Sequence, residues 1–198
     1  FAEQGLQIDL VVCNTQAEKG TLRTEVSEKI QLIDFACGRV ANALMPLKAQ
    51  LVKENYDVVV ATQTHSNILC VLAKKLAKVD SKLILREVST PSKNMGLSGL
   101  KKTIFAKMVA WSYATAEHVV CVSEGVKEDF QRYYAYQHAN LCTIYNPVID
   151  AAYVKKLAEP VTHAFFQPDL KVVIAIGRLT EAKNFANLLH AFAQMYRQ

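Results

Sequence analysis

The stretch DVVVATQTHSNILCVLAKKLAKVDSKLILRE, residues 57–87, decides the fold. It opens and closes on short apolar runs, Asp57–Thr62 and Lys82–Glu87, rich in Val, Ile and Leu on both faces. Strands buried on both sides read this way, because helices cover the two faces of a parallel sheet. Between them the pattern NILCVLAKKLAKV predicts a helix. Its spacing turns Ile68, Leu69, Val71, Leu72, Leu76 and Val79 toward the sheet and leaves Lys74, Lys75 and Lys78 in water. Strand, helix and strand in that order make a right-handed crossover between parallel neighbours.

The same rhythm runs through the rest of the chain. Further strands are predicted at Ile8–Cys13, Lys29–Asp34, His118–Val122, Leu141–Tyr145 and Lys171–Ile176. The helix PLKAQLVKENY carries Pro46 in its first turn, where a missing N–H costs nothing. The longest helical pattern is LSGLKKTIFAKMVAWSYATAE, with Leu97, Leu100, Ile104, Met108 and Trp111 at near-helical spacing. In SEGVKEDFQRYYAY, Ser123 is placed to cap the helix, and Glu124 and Glu128 suit its positive end. The predicted class is α/β, a doubly wound parallel sheet. From Asn146 to Leu170 the alternation stops. Pro147, Pro160 and Pro168 surround one short helical pattern, AAYVKKLA, as a linker would. The expected organisation is a first domain over 1–150, a linker over 151–170, and the opening of a second domain over 171–198.

Composition narrows the function classes. Half the residues are hydrophobic and about a fifth charged, the balance of an ordinary folded domain rather than a disordered chain. A net charge of +5 admits an anionic ligand or membrane surface and is too small to argue for nucleic acid. The five cysteines are widely spaced, form no CxxC pair and sit mostly in apolar runs. They read as buried free thiols in a reducing, cytoplasmic setting, not as disulfides or metal ligands. No apolar stretch has the ~18 residues that span a bilayer. The opening FAEQGLQIDLVV reads as a helix end, a glycine stop and a strand, not as a leader, so the sequence is expected to begin inside a domain.

Ligands of such sheets lie beyond the carboxyl ends of the strands. His65 follows the strand Asp57–Thr62 and is a candidate general base or phosphate contact; the alternative is a helix-start histidine bonded to neighbouring backbone. After Lys82–Glu87 comes a loop of some ten residues, where Ser89, Thr90 and Ser92 either donate to a substrate or serve turn chemistry. The next helix sets Lys101, Lys102 and Lys107 beside Ile104, Phe105, Trp111 and Tyr113. It reads as a crossover helix with a solvated lysine face or as a peripheral contact with an anionic membrane. The strongest local signal is GRLTEAKN. Gly177 allows a tight turn after a strand, and Arg178 and Lys183 can converge on one anion near a helix start. A structural ion pair is the other reading for Lys183.

Taken in order, HVVCVSEGVKEDF, LCTIYNPVI and VVIAIGRLTEAKNFANLLHAFAQ resemble family 4 glycosyltransferases of the GT-B fold. DVVVATQTHSN is similar to that family's mid-domain strand and loop. The resemblance implies a Rossmann-like acceptor domain followed by the first strand and helix of a donor domain. It implies transfer of a sugar, with retention, from a nucleoside-diphosphate donor to an acceptor hydroxyl, with no metal or other cofactor. Matched to the family motif, Arg178 and Lys183 hold the donor diphosphate and stabilise its leaving charge. The implied acceptor is a glycan or a lipid-linked glycan, in polysaccharide or glycolipid synthesis. The implied place is the cytoplasm, up to the inner face of the plasma membrane.

Three features depart from the family pattern. Its glycine-rich loop would precede Phe1, and its paired glutamates would follow Gln198. Where many members have a histidine after the strand Lys82–Glu87, this chain has Val88 or Ser89. The sequence is thus expected to be a piece of a longer enzyme and inactive alone. Two rival readings are a stand-alone Rossmann-like binding domain and a GT-B nucleotide-sugar epimerase; the latter fits the VSEGV, IYNPV and GRLTEAKN series less well.

Overall fold

A computed structural model describes residues 2–13, 26–94, 96, 98–147, 149, 151–166 and 170–196. The chain divides into two compact units, Phe1–Asn146 and Pro147–Gln198.

Among the described residues the first unit holds six strands, parallel within each of two sheets. They are β1 (Ile8–Val12), β2 (Ile30–Asp34), β3 (Val58–Thr62), β4 (Lys82–Glu87), β5 (His118–Cys121) and β6 (Leu141–Thr143). β1 pairs with β2, and β3 to β6 form a four-stranded sheet in sequence order. Ile8 lies opposite Ile30, Val58 opposite Lys82, Ile84 opposite His118, and Val119 opposite Leu141. Five helices connect them: α1 (Leu44–Glu54), α2 (Thr64–Ala77), the single turn α3 (Pro91–Asn94), α4 (Gly99–Tyr113) and α5 (Glu124–Tyr134). The second unit contributes α6 (Ala151–Leu157) and α7 (Phe185–Tyr196).

Six predicted strands are present, most of them within a residue or two of the expected bounds. The seventh is not. Lys171–Ile176 forms no strand, and its residues are exposed. A parallel strand exists only by pairing, and no other strand lies in the described part of the second unit. The helix predicted after it is present as α7.

The core sits where helices close over the four-stranded sheet. Leu83 and Leu85 of β4, Val119 and Cys121 of β5, Val71 and Ala73 of α2, Val109 and Tyr113 of α4, and Phe130 of α5 are all buried. Phe130, Tyr134 and Tyr136 pack ring on ring, with centroids 4.9 Å and 5.4 Å from Phe130. Ser123 caps α5 as predicted, its Oγ accepting from the Val126 N–H at 3.2 Å.

α2 faces partly differently from the sequence expectation, and in α4 the structure supplies a face that spacing leaves open. In α2, Ile68, Leu69 and Val71 are buried, but Leu72 and Leu76 are exposed. In α4 the stripe Leu100, Ile104, Met108 and Trp111 points outward, while Val109, Ser112 and Tyr113 face the sheet. Both helices are apolar on more than one side. Spacing alone then identifies an apolar stripe without saying which stripe the sheet receives.

β1 and β3 are not paired with each other, and a cavity of about 330 Å³ separates them. Leu10 and Val11 line it from one side, Val58 and Val60 from the other, with Leu47 and Leu69 from the helices. At one end the gap is bridged. The Tyr56 hydroxyl donates to Asp9 Oδ2 at 2.5 Å and accepts from Gln50 Nε2 at 2.7 Å. Burial, followed by the bond to Asp9, pushes the Tyr56 phenol up to about 12.

The helix orientations give a direct test. Leu85→Ala, in the core, is expected to cost about 2–5 kcal/mol in urea denaturation, whereas Leu72→Ala should stay within about 0.5 kcal/mol of the parent. Similar losses for both would contradict the outward face of α2.

Candidate functional site

The carboxyl edge of β3 and β4 gathers three of the buried polar residues, Thr64, Asn67 and Glu87. β3 ends at Thr62, and α2 starts two residues later at Thr64. The link is Gln63, held at φ 78°, ψ 140°. Non-glycine residues rarely occupy that region, and it costs of order 1–3 kcal/mol, so the surrounding structure must impose it. Part of the restraint is visible. The Gln63 N–H donates to the Arg86 carbonyl at 3.1 Å, and its own carbonyl accepts from the Asn67 N–H at 2.8 Å.

Directly beneath this turn lies Glu87, the last residue of β4, with no solvent exposure. Its Oε2 accepts from Thr64 Oγ1 at 3.1 Å and its Oε1 from Asn67 Nδ2 at 3.1 Å. The Tyr113 hydroxyl donates to Oε1 through a short bond. Asn67 Nδ2 also lies 3.1 Å from the Arg86 carbonyl and 2.9 Å from the Tyr113 hydroxyl. One carboxyl group therefore joins the end of β4, the first turn of α2 and the last turn of α4. Burial raises the Glu87 pKa, and the donors from Tyr113, Thr64 and Asn67 offset only part of that rise. Burial and the neighbouring carboxyl raise the Tyr113 phenol as well. The Asn67 Oδ1 and Tyr134 Oη atoms are buried without a hydrogen-bond partner among the described residues.

His65 stands in the first turn of α2, between two of the Glu87 donors, as the sequence predicts for its position in the chain. It is exposed, and its ring lies 6.0 Å from that of Phe105. The segment after β4 is not an open loop. Pro91 is buried, α3 adds one helical turn, and the Ser92 N–H donates to Asp129 Oδ2 of α5 at 2.9 Å. Ser89 and Thr90 are half-buried beside Glu87 in sequence. Arg86 reaches across the strand ends to Asn146 Oδ1.

The other predicted site residues belong to the second unit. A Cβ built on Gly177 would lie 3.4 Å from Lys183 Cγ and 3.6 Å from the Phe185 ring, so the lysine stem folds back over the glycine. The turn between them is tied by Thr180 N–H to the Arg178 carbonyl at 2.8 Å and Lys183 N–H to the Thr180 carbonyl at 3.0 Å. Lys183 ends a 3-10 turn, Glu181–Lys183. Asn184 follows at φ 49°, and α7 begins at Phe185. Gly177, Arg178 and Lys183 thus lie in one exposed segment just ahead of the helix.

Glu87, Asn67 and Tyr113 were not legible as a group. The only local sign is an acid closing KLILRE, beyond its apolar run Leu83–Leu85, and its partners lie 20 and 26 residues away. Cys70 and Cys121 are buried, whereas Cys13, Cys37 and Cys142 are half-buried, short of the burial expected for all of them. All five are free, and burial pushes the Cys70 and Cys121 thiols up to about 12. Among the described residues no group of His, Cys, Asp and Glu is arranged to hold a metal, and no helix is long and apolar enough to cross a membrane.

A four-stranded parallel sheet flanked by helices is the architecture of a Rossmann-like α/β domain. The family model for Glycosyltransferase Family 4 matches residues 1–151, most of the chain, and the protein belongs to that family. Glycosyltransferase activity is the general property of the family. No curated protein matches the chain.

Because its folded pKa is raised, Glu87 favours the protonated folded state. That contribution is full below the ordinary carboxylate range and is lost as pH rises through the raised value. Glu87→Gln, permanently neutral, should flatten the decline of Tm over this range. Glu87→Ala should destabilise at every pH, by about 1–3 kcal/mol for each donor left unpaired. A Glu87→Gln protein with the parent's pH slope would place the titration elsewhere.

Proposed function

We propose that the protein is a retaining transferase that moves a sugar from a nucleoside-diphosphate donor to an acceptor hydroxyl of a glycan or lipid-linked glycan. The observation that carries this reading is the family match over residues 1–151, on a parallel sheet whose polar groups collect at the strand ends. The first unit supplies the acceptor side, with His65 at the edge of the site as a base or phosphate contact. Gly177, Arg178 and Lys183 supply the start of the donor side. The Lys183 stem packs over Gly177, and Arg178 follows that glycine directly in the chain, which puts both cations in one short segment. They would bind the diphosphate and offset the charge that develops as it departs, so the reaction needs no metal. The proposed setting is the cytoplasm, at or near the inner face of the plasma membrane; the five free thiols suit a reducing compartment.

The test is sugar transfer by the complete gene product, screened for nucleoside-diphosphate release across common nucleotide sugars. Charge-assisted contacts of ~1.5–3 kcal/mol predict that Arg178→Ala and Lys183→Ala each lower kcat/KM about 10–100-fold. His65→Ala should lower kcat while Tm is kept, since its side chain is exposed. No release with any nucleotide sugar would overturn the transferase reading. Parent-like kinetics for a variant would remove that residue from the site.

A further inference from the structure

The outer face of α4 is unlike that of an ordinary crossover helix. Leu100, Ile104, Met108 and Trp111 are 75%, 60%, 39% and 52% exposed, and they follow one another along one side. The opposite side is already used against the core by Val109, Ser112 and Tyr113. On α2, which packs beside α4, Leu72 and Leu76 continue the exposed apolar surface. An apolar patch this contiguous marks a surface that another phase or partner covers.

Charge identifies what covers it. Neither helix contains an acidic residue. Lys101 and Lys107 lie beside the apolar stripe of α4. Lys75 lies between Leu72 and Leu76 along the face of α2, and its Nζ sits 3.7 Å from the centre of the Trp111 ring. Next to that contact Lys74, Lys75 and Lys78 line a recess of about 350 Å³ with Asp80 and Thr115. Lys74 is partly neutralised by Glu117 at 3.7 Å; Lys75 and Lys78 leave a net positive rim. An apolar stripe with a tryptophan and a lysine border is the chemistry of the bilayer interface. Indole and acyl-facing side chains enter the headgroup boundary there, and ammonium groups meet anionic phosphates.

We propose that this face of α4 and α2 docks the domain on an anionic lipid bilayer, with Trp111 and Ile104 at the apolar boundary and Lys75 and Lys78 on lipid phosphates. The proposal does not depend on the transferase reading, because lipid binding and donor turnover are measured separately.

Trp111 is the only tryptophan in the chain, so its emission reports on this face alone. The chain is mixed with vesicles of phosphatidylcholine, with or without phosphatidylglycerol, and followed by co-sedimentation and fluorescence. Expected are sedimentation with the anionic vesicles, a blue shift of Trp111 emission, and loss of both in ~1 M salt, where charge attraction is screened within about 3 Å. Lys75→Ala and Lys78→Ala should each weaken binding roughly fivefold. Ile104→Glu with Met108→Glu should weaken it at least about tenfold; both positions are exposed, and an unchanged Tm checks that the fold survives. No binding, equal binding to neutral vesicles, or binding without a Trp111 shift overturns the proposal. A blue shift without lipid, accompanied by a concentration-dependent rise in mass, would make the face a contact between copies and also overturn it.

Discussion

The buried carboxyl of Glu87 is the constraint on which the site edge depends. An apolar strand end would leave the first turn of α2 to be placed by packing alone. Glu87 instead takes donors from Thr64, Asn67 and Tyr113, and so couples two helices to one strand terminus. Hydrogen bonds are directional where apolar contacts are not, and a buried set must be nearly complete to be tolerated. The unusual backbone at Gln63 is held next to this set, and His65 projects from the same turn. The position of the proposed acceptor edge therefore rests on a few polar contacts inside an otherwise apolar layer.

The two units present their chemistry differently. In the first, polar groups are buried and fixed by several partners each. In the second, Arg178 and Lys183 stand on an exposed turn, ordered by its own backbone bonds and by the lysine stem against Gly177. Cations on an exposed turn bind anions weakly alone, because water and salt screen them.

Alternation was legible because each strand is short, apolar and bounded. The runs at 57–62, 82–87 and 118–122 carry their own evidence, and the helices between them follow from length. Lys171–Ile176 has the same composition without a paired neighbour, and local pattern cannot reveal that. Helix orientation failed for a related reason. α2 is apolar on two sides, so spacing turns Leu72 and Leu76 toward the sheet although both are exposed, and for the Leu100–Trp111 stripe of α4 spacing names no face. His65, Gly177, Arg178 and Lys183 could be picked out because they stand at strand ends or in a motif. Glu87 could not, because its meaning lies in partners brought in from other elements.

The gap between β1 and β3 also shapes how the domain yields to force or denaturant. Backbone bonds run continuously within each sheet and stop at the cavity, so there the two parts are joined by side chains such as Tyr56 and Asp9 and by the helices beside them. Side-chain contacts slide and separate more readily than a strand ladder. The β1–β2 ribbon is therefore held less firmly than a strand within a ladder, and β3 already presents Val58 and Val60 on a strand edge that carries no charge to repel another chain.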